Sequence, residues 1–164
     1  MSNIKIMDDV LANKIAAGEV VEKTMNVVKE LVENSIDAES SIISIELIDS
    51  GVKEIKVTDN GKGMDKNDAK LAFSRHATSK LTDVEDLFNI ESLGFRGEAL
   101  PSIAAVSNVS LKTSDGKNGT LVTISGGKNL KVESADLQEG TTITVRDLFY
   151  NTPVRLKYLK NLYV

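Results

Sequence analysis

Glu30, Asn34 and Asp37 stand at spacing i, i+4, i+7 in a stretch whose apolar residues recur with helical period. That spacing puts two carboxylates and an amide on one helix face. The face borders the apolar arc at Val27, so these groups sit at the edge of a core rather than out in solvent. Asn34 offers a neutral oxygen suited to a hard cation such as Mg2+. Glu30, one turn away, is placed to take a proton from water near that cation. The plain alternative is the polar flank of an amphipathic helix.

Asp59-Asn60-Gly61-Lys62-Gly63 follows a strand pattern in which Ile55 and Val57 share one face. Alternation makes Asp59 the next inward residue. An inward carboxylate is costly unless it finds a donor, and a ligand amine is one. Gly61 and Gly63 let backbone approach such a ligand closely. The same residues also suit a simple hairpin turn.

Gly94-Phe95-Arg96-Gly97-Glu98-Ala99-Leu100 places glycines before a helix, where free N–H groups and the helix dipole favour an anion such as phosphate. A plain helix start fits the same pattern. Pro101 removes an internal bond if the helix begins at Arg96, so a kink or a later start near Glu98 is expected. In Gly140-Thr141-Thr142, Thr141 shares parity with Ile143 and Val145, so its hydroxyl points inward; a Thr at a strand start reads the same way. Ser74 through Lys80 is polar and loop-like, with Thr78, Ser79 and Lys80 suited to a phosphate.

The elements that must position these groups are legible in outline. Asp8 can cap a short helix to Ala17, stopped by Gly18. A longer helix runs from about Thr24, its expected N-cap, to Ala38, with Val27, Val28, Leu31, Val32 and Ile36 as its apolar arc. Ile43 to Leu47 and Glu54 to Asp59 alternate and form a hairpin. Asn60 to Gly97 is a long connection with helical patches at Asn67–Phe73 and Asp83–Phe88, and Phe73 to Phe95 reads as a lid that orders on binding. A helix covers about Gly97 to Ala105. Strands at Asn108–Thr113, Thr120–Ser125, Lys128–Ser134 and Thr141–Asp147 read as an antiparallel meander. Pro153 opens a final helix.

Composition removes several function classes. With no cysteine, disulfide scaffolds, thiolate zinc sites and thiol nucleophiles are excluded. A single histidine, His76, excludes multi-histidine metal sites and is read as structural. A net charge of −4 gives no general polyanion-binding surface. Arg155, Lys157 and Lys160 read as a solvated helix face. Aromatics at 4% with no Trp are too few for a base-stacking platform. No apolar run is long enough to cross a membrane.

The order of these motifs is more telling than any one of them. A helical E-x-x-x-N, then D-x-G-x-G after a strand, then G-F-R-G-E-A-L, then G-T-T resembles the GHKL ATPase superfamily. Leu11 through Val21, Val27 through Ala38 and Gly94 through Leu100 narrow the resemblance to the MutL family. Arg75 through Lys80 and Leu148 through Pro153 are also similar to that family, so nearly the whole chain is covered.

The resemblance implies an α+β fold, a two-layer sandwich of the GHKL (Bergerat) type with helices on one face of a mixed, mostly antiparallel sheet. It implies ATP and Mg2+ as ligands. Glu30 would be the general base for water attack on the γ-phosphate, and Asn34 the Mg2+ ligand. Asp59 would accept the adenine amino hydrogen bond, with Gly61 and Gly63 shaping the pocket and Thr141 touching the adenine side. Thr78, Ser79 and Lys80, with Gly94, Phe95, Arg96, Gly97, Glu98, Ala99 and Leu100, would form lid and phosphate cradle. The function implied is an ATP-driven switch in DNA mismatch repair; a nucleotide-regulated interaction module without turnover is the alternative, against which the presence of Glu30 argues. Implied partners are a mismatch-recognition protein, DNA through parts mostly outside this chain, and a second subunit, with no membrane. The implied location is cytoplasmic, nucleoid-associated if bacterial.

Three positions depart from the family pattern. Thr24 stands where proline is usual, Glu39 where glycine is usual, and Pro101 where a small residue is usual. The final helix meets Val164 without a stop signal, and the family's ATPase region continues beyond this length with a second subdomain that supplies a lysine to the γ-phosphate. Residues 1–164 are therefore expected to be a C-terminally truncated domain, weak or inactive in turnover alone, with apolar surface open to self-association.

Overall fold

Residues 23–74 and 96–162 are described by the computed structural model of the chain. Helix α1 spans Thr24–Asp37. Its start is fixed by Asn26, whose Oδ1 accepts the Lys23 N–H at 2.8 Å. The expected cap at Thr24 is thus displaced to Lys23, and Thr24 is buried against Gly51. The buried row of the helix is Thr24, Val27, Leu31 and Ser35. Ile36, expected in the apolar arc, is 60% exposed.

The turn leaving α1 is tied down by backbone bonds from Ala38, Glu39 and Ser40 to carbonyls in its last turn. Glu39 takes φ 61°, the left-handed region where glycine is the least strained residue. The turn therefore keeps a glycine-type shape despite the glutamate.

Strands β1 (Ile43–Ile48) and β2 (Glu54–Asp59) form the expected hairpin, joined by a 3-10 turn at Asp49–Gly51. Helix α2 covers Lys66–Leu71, and its N-cap Asp65 accepts the Asp68 N–H at 2.7 Å. Helix α3 runs Arg96–Ala105 with Pro101 inside it. Proline there cannot donate to the carbonyl one turn back, so one internal bond is missing. Strands β3 (Asn108–Ser114), β4 (Gly119–Ser125), β5 (Lys128–Ala135) and β6 (Gly140–Arg146) follow, and helix α4 (Pro153–Leu162) opens on its proline as expected.

The sheet order is β1-β2-β6-β3-β4-β5, and every described pairing is antiparallel. Only β3, β4 and β5 make a meander. β6 leaves it and returns to the middle, between β2 and β3, which corrects the expected simple succession. Burial explains the return. β6 buries Thr141, Ile143 and Val145 on its inner face and Thr144 between its neighbours on the outer one.

Register puts Leu47, Ile55, Val145, Val109 and Ile124 in one row across the inner face, and Ile45, Val57, Ile143, Leu111 and Val122 in the next. Helices α1 and α3 lie on this face. Val27 and Leu31 from α1 and Ile103 and Ala104 from α3 complete the core with Val106, Leu148 and Phe149. Phe73, expected at the start of a lid, is instead a core residue. No described helix is long and apolar enough to cross a membrane.

Candidate functional site

One step along the inner face the chemistry of the sheet changes. The next row is Ile43, Asp59, Thr141, Thr113, Thr120. Two apolar rows thus give way to one carboxylate and a run of hydroxyls, at the end of the sheet beside the C-terminal half of α1. A polar row at the edge of a core needs partners, and its hydrogen bonds can be followed atom by atom.

Asp59 is half-buried. Its Oδ2 accepts the Ser35 hydroxyl at 2.7 Å, and its Oδ1 accepts the Gly61 N–H at 2.9 Å. The segment closes no hairpin, since β2 leads into α2: Oδ1 accepts within the local turn, and the side chain points to the helix layer, as strand parity expects. A carboxylate has roughly four acceptor positions. Two are used inside the protein, which leaves acceptor capacity toward the open side.

Thr113 is fully buried and organises the other half of the row. Its hydroxyl donates to the Gly140 carbonyl at 3.2 Å and accepts the Met64 N–H at 3.0 Å. Thr141 Oγ1 lies 2.8 Å away. Either hydroxyl can be the donor of that pair, and Thr141 keeps a lone pair in both cases. Asp59 and Thr141, adjacent in register, together offer acceptors to an N–H ligand.

Three glycines let the chain close around this row. A Cβ on Gly63 would run into the Ser114 carbonyl oxygen, and one on Gly140 into the Asp59 carbonyl oxygen. Both have positive φ, +64° and +140°. A Cβ on Gly61 would lie 2.6 Å from both Ala38 Cβ and Ser40 Oγ. Asn60 ties the same corner to the α1–β1 connection, its Oδ1 accepting Ser41 N–H and Ile42 N–H at 2.9 Å each.

Glu30 and Asn34 are half-buried on α1, as is Asp37. They flank the buried row that carries Ser35, so the expected face does border the core and does lie along the helix that holds Asp59. Ala99 and Leu100, on α3, are 1% and 8% exposed. Their side chains belong to the core, which leaves their backbone for any ligand contact. Arg96, Gly97 and Glu98 form the first turn of α3, but their side chains are outside the description. Thr78, Ser79, Lys80, Gly94 and Phe95 lie outside the described residues, with the rest of the expected lid beyond Ser74 and the expected helix at Asp8–Ala17.

The structure adds Ser35 and Thr113 to the residues singled out from sequence. Ser35 had a signal. It stands four residues after Leu31 and eight after Val27, a hydroxyl continuing a buried row. Thr113 had one too, as the hydroxyl that ends the alternation Val109, Leu111, Thr113. A separate open groove of about 530 Å3, between α2 and the ends of β4 and β5, is lined by Asp65, Lys66, Lys117 and Glu133 among others. It contains neither Asp59 nor Thr141, and its mixed charges select no ligand class.

The donor set fits a nucleotide and a hard cation. A neutral amide oxygen and a carboxylate lie one helical turn apart on α1, and acceptors for an amino group lie where the glycines would tolerate no Cβ.

Comparison with known proteins points the same way. The profile of the histidine kinase-, DNA gyrase B- and HSP90-like ATPases matches residues 22–152. The chain is 57% identical over 99% of its length to the DNA mismatch repair protein MutL of Geobacillus sp. (strain WCH70), and 57% identical to that of Streptococcus agalactiae serotype III. It spans 26% and 25% of those two proteins. Among solved structures, the ATPase domain of Aquifex aeolicus MutL complexed with ADP aligns over 88% of this chain and 51% of its own, at 32% identity and TM-score 0.67. An N-terminal domain of a DNA repair protein aligns over 93% of this chain and 44% of its own, at 31% identity and TM-score 0.78.

Proposed function

The chain belongs to the histidine kinase-, DNA gyrase B- and HSP90-like ATPase family, in its MutL branch, and from that premise we propose that it is the ATP-binding part of a mismatch-repair ATPase. The observation that carries the reading is Asp59, held at both oxygens and set beside Thr141 at the polar end of the inner face.

In this reading Asp59 accepts a hydrogen bond from the adenine amino group, and the close packing at Gly61, Gly63 and Gly140 shapes the base pocket. Thr141 contributes an acceptor lone pair beside it. Asn34 would hold Mg2+ through its amide oxygen, and the ion would supply positive charge beside the phosphates. Glu30 would take the proton of the attacking water as the water oxygen bonds to the γ-phosphorus and the bond to the β–γ bridging oxygen breaks, releasing ADP and phosphate. Its position at the edge of the core keeps it oriented. The backbone at the start of α3 faces the phosphates with the positive end of its dipole, and Thr78, Ser79 and Lys80 contribute from the lid.

For the longer protein, ATP binding and hydrolysis switch the molecule between states that engage a mismatch-recognition protein, DNA and a second subunit. The same reading gives it a cytoplasmic, DNA-associated location.

The test is thermal stability of the chain with and without Mg2+ and a non-hydrolysable ATP analogue, for wild type and Asp59→Asn. The amide keeps an oxygen for the Gly61 N–H and a group for Ser35, so the fold is retained while the ligand acceptor is lost. Ligand at ~100 times its Kd should stabilise the wild type by about 2.7 kcal/mol. The variant should show no shift. An equal shift in both would remove Asp59 from the base pocket. In a protein extended to the full ATPase region, Glu30→Ala should bind nucleotide and release no phosphate; normal turnover would sink the base assignment.

A further inference from the structure

The chain holds two Asn-Gly steps, Asn60-Gly61 and Asn118-Gly119. Glycine has no side chain to shield its backbone nitrogen, so that nitrogen can approach the side-chain carbonyl carbon of the asparagine before it. Both asparagines are exposed, so burial does not separate them. Their hydrogen bonds do. At Asn60 both ends of the side-chain amide are held. Oδ1 accepts the Ser41 and Ile42 N–H groups at 2.9 Å each, and Nδ2 donates to Ser41 Oγ at 2.8 Å. The nitrogen that would attack is held too, because the Gly61 N–H donates to Asp59 Oδ1 at 2.9 Å. A carboxylate acceptor keeps that proton in place. Asn118 lies in the β3–β4 turn. Its backbone N–H is fixed by Asp115 Oδ1 at 2.9 Å, but its side chain makes no hydrogen bond among the described residues. Gly119 opens β4 opposite Ser114, at the last pair of the ladder.

We propose that Asn118 is a site of spontaneous deamidation, and that Asn60 is kept from the same reaction by its hydrogen bonds. The Gly119 nitrogen bonds to Asn118 Cγ, the Cγ–Nδ2 bond breaks, and ammonia leaves with the amide proton. Water then opens the cyclic imide at either carbonyl. Opening at Cγ leaves aspartate. Opening at the main-chain carbonyl leaves isoaspartate, with one more methylene in the chain between residue 118 and Gly119. Each product changes its surroundings. Asn118 lines the groove that carries Asp65, Glu133 and Asp136 against Lys66 and Lys117, so either product adds a fourth carboxylate against two ammonium groups. Isoaspartate would also move Gly119 out of its pairing with Ser114. The contrast matters most at Asn60, which adjoins Asp59. The same reaction there would set a second carboxylate beside the one proposed for the base. The bonds at that corner thus preserve the charge of the site as well as its shape.

The experiment is incubation of the folded chain, without nucleotide, at mildly alkaline pH. Samples are digested under mildly acidic conditions and the two peptides are read by mass spectrometry. Isoaspartate is scored separately with an isoaspartyl carboxyl methyltransferase. Acid at residue 118 should accumulate at least about tenfold faster than at residue 60, which must first open its local bonds. In denaturant the two steps should react at similar rates, which makes the fold the cause of the difference. Asn118→Gln keeps an amide but closes the larger imide ring slowly, so it should remove the isoaspartate signal. Equal rates in the folded chain or a faster reaction at Asn60 would overturn the proposal. So would a folded chain left unmodified at Asn118 over a period in which the denatured chain reacts. A difference that survives in denaturant would overturn it as well, since sequence rather than structure would then set the rates.

Discussion

Ser35 on α1 donates its hydroxyl hydrogen to Asp59 Oδ2 at 2.7 Å, and this single bond ties the helix bearing Glu30 and Asn34 to the strand bearing the carboxylate proposed to recognise the base. Ser35 is 3% exposed and its Oγ also lies 3.3 Å from the Leu31 carbonyl. The two halves of the proposed site are therefore set relative to each other by one buried hydroxyl.

Ser35→Ala should lower stability by about 0.5–1.5 kcal/mol, the usual net value of one such bond. Water can reach the half-buried Asp59, which keeps the loss at that level. The larger effect should fall on nucleotide binding, because Asp59 loses the contact that orients it. Urea unfolding and the ligand-induced thermal shift separate the two. A variant with full ligand shift would mean that Gly61 alone orients the carboxylate.

Thr113→Val is nearly isosteric but removes a saturated hydroxyl. Met64 N–H, the Gly140 carbonyl and Thr141 Oγ1 each lose a partner at once. Leaving a buried polar group unsatisfied costs about 1–3 kcal/mol, so the variant should lie in the upper part of that range. Denaturant unfolding measures it. A cost below that of Ser35→Ala would mean that these groups find other partners.

The inward carboxylate was readable from sequence because strand parity is strict: Ile55, Val57 and Asp59 can only share a face. Helical parity is looser. Val28-Val32-Ile36 and Val27-Leu31-Ser35 are both i+4 rows, and they differ in apolar character only at the last member. The sheet takes the second row, whose third member bonds Asp59, and Ile36 is left exposed. The place of β6 is non-local, so no turn signal encodes it. Its unbroken β-branched run Thr141-Thr142-Ile143-Thr144-Val145 was the available hint of a central strand. Glu39 shows the reverse case, where a residue unsuited to a turn leaves the turn unchanged.

Asp115 opens the β3–β4 turn, where its Oδ1 accepts the N–H groups of Lys117 and Asn118 at 2.9 Å each. The Asn118 and Lys117 amides hold its carboxyl below the ordinary aspartate value. A carboxylate depressed in the folded state contributes stability that is fully present above its unfolded pKa and is lost as pH falls through the folded one. Carbon-detected NMR titration should place its midpoint below that of an unstructured aspartate. Asp115→Asn keeps an oxygen for the turn and should flatten the acid limb of stability relative to wild type. A midpoint at or above the ordinary value would contradict the assignment of these two bonds.

Glu39 pays for the turn after α1 in backbone strain, since a left-handed conformation costs an L-residue about 1–2 kcal/mol. Its side chain returns little. The Lys62 ammonium is 3.7 Å away with both groups largely exposed, and such pairs contribute about 0–1 kcal/mol. Glycine removes the strain but gains freedom in the unfolded chain. Glu39→Gly should therefore stabilise the protein by up to about 1 kcal/mol. Glu39→Ala keeps the strain and loses the ion pair, so it should be neutral or slightly destabilising. Urea midpoints should then rank glycine above glutamate and glutamate at or above alanine. An alanine variant more stable than the glycine one would mean that the turn does not hold its left-handed residue in solution.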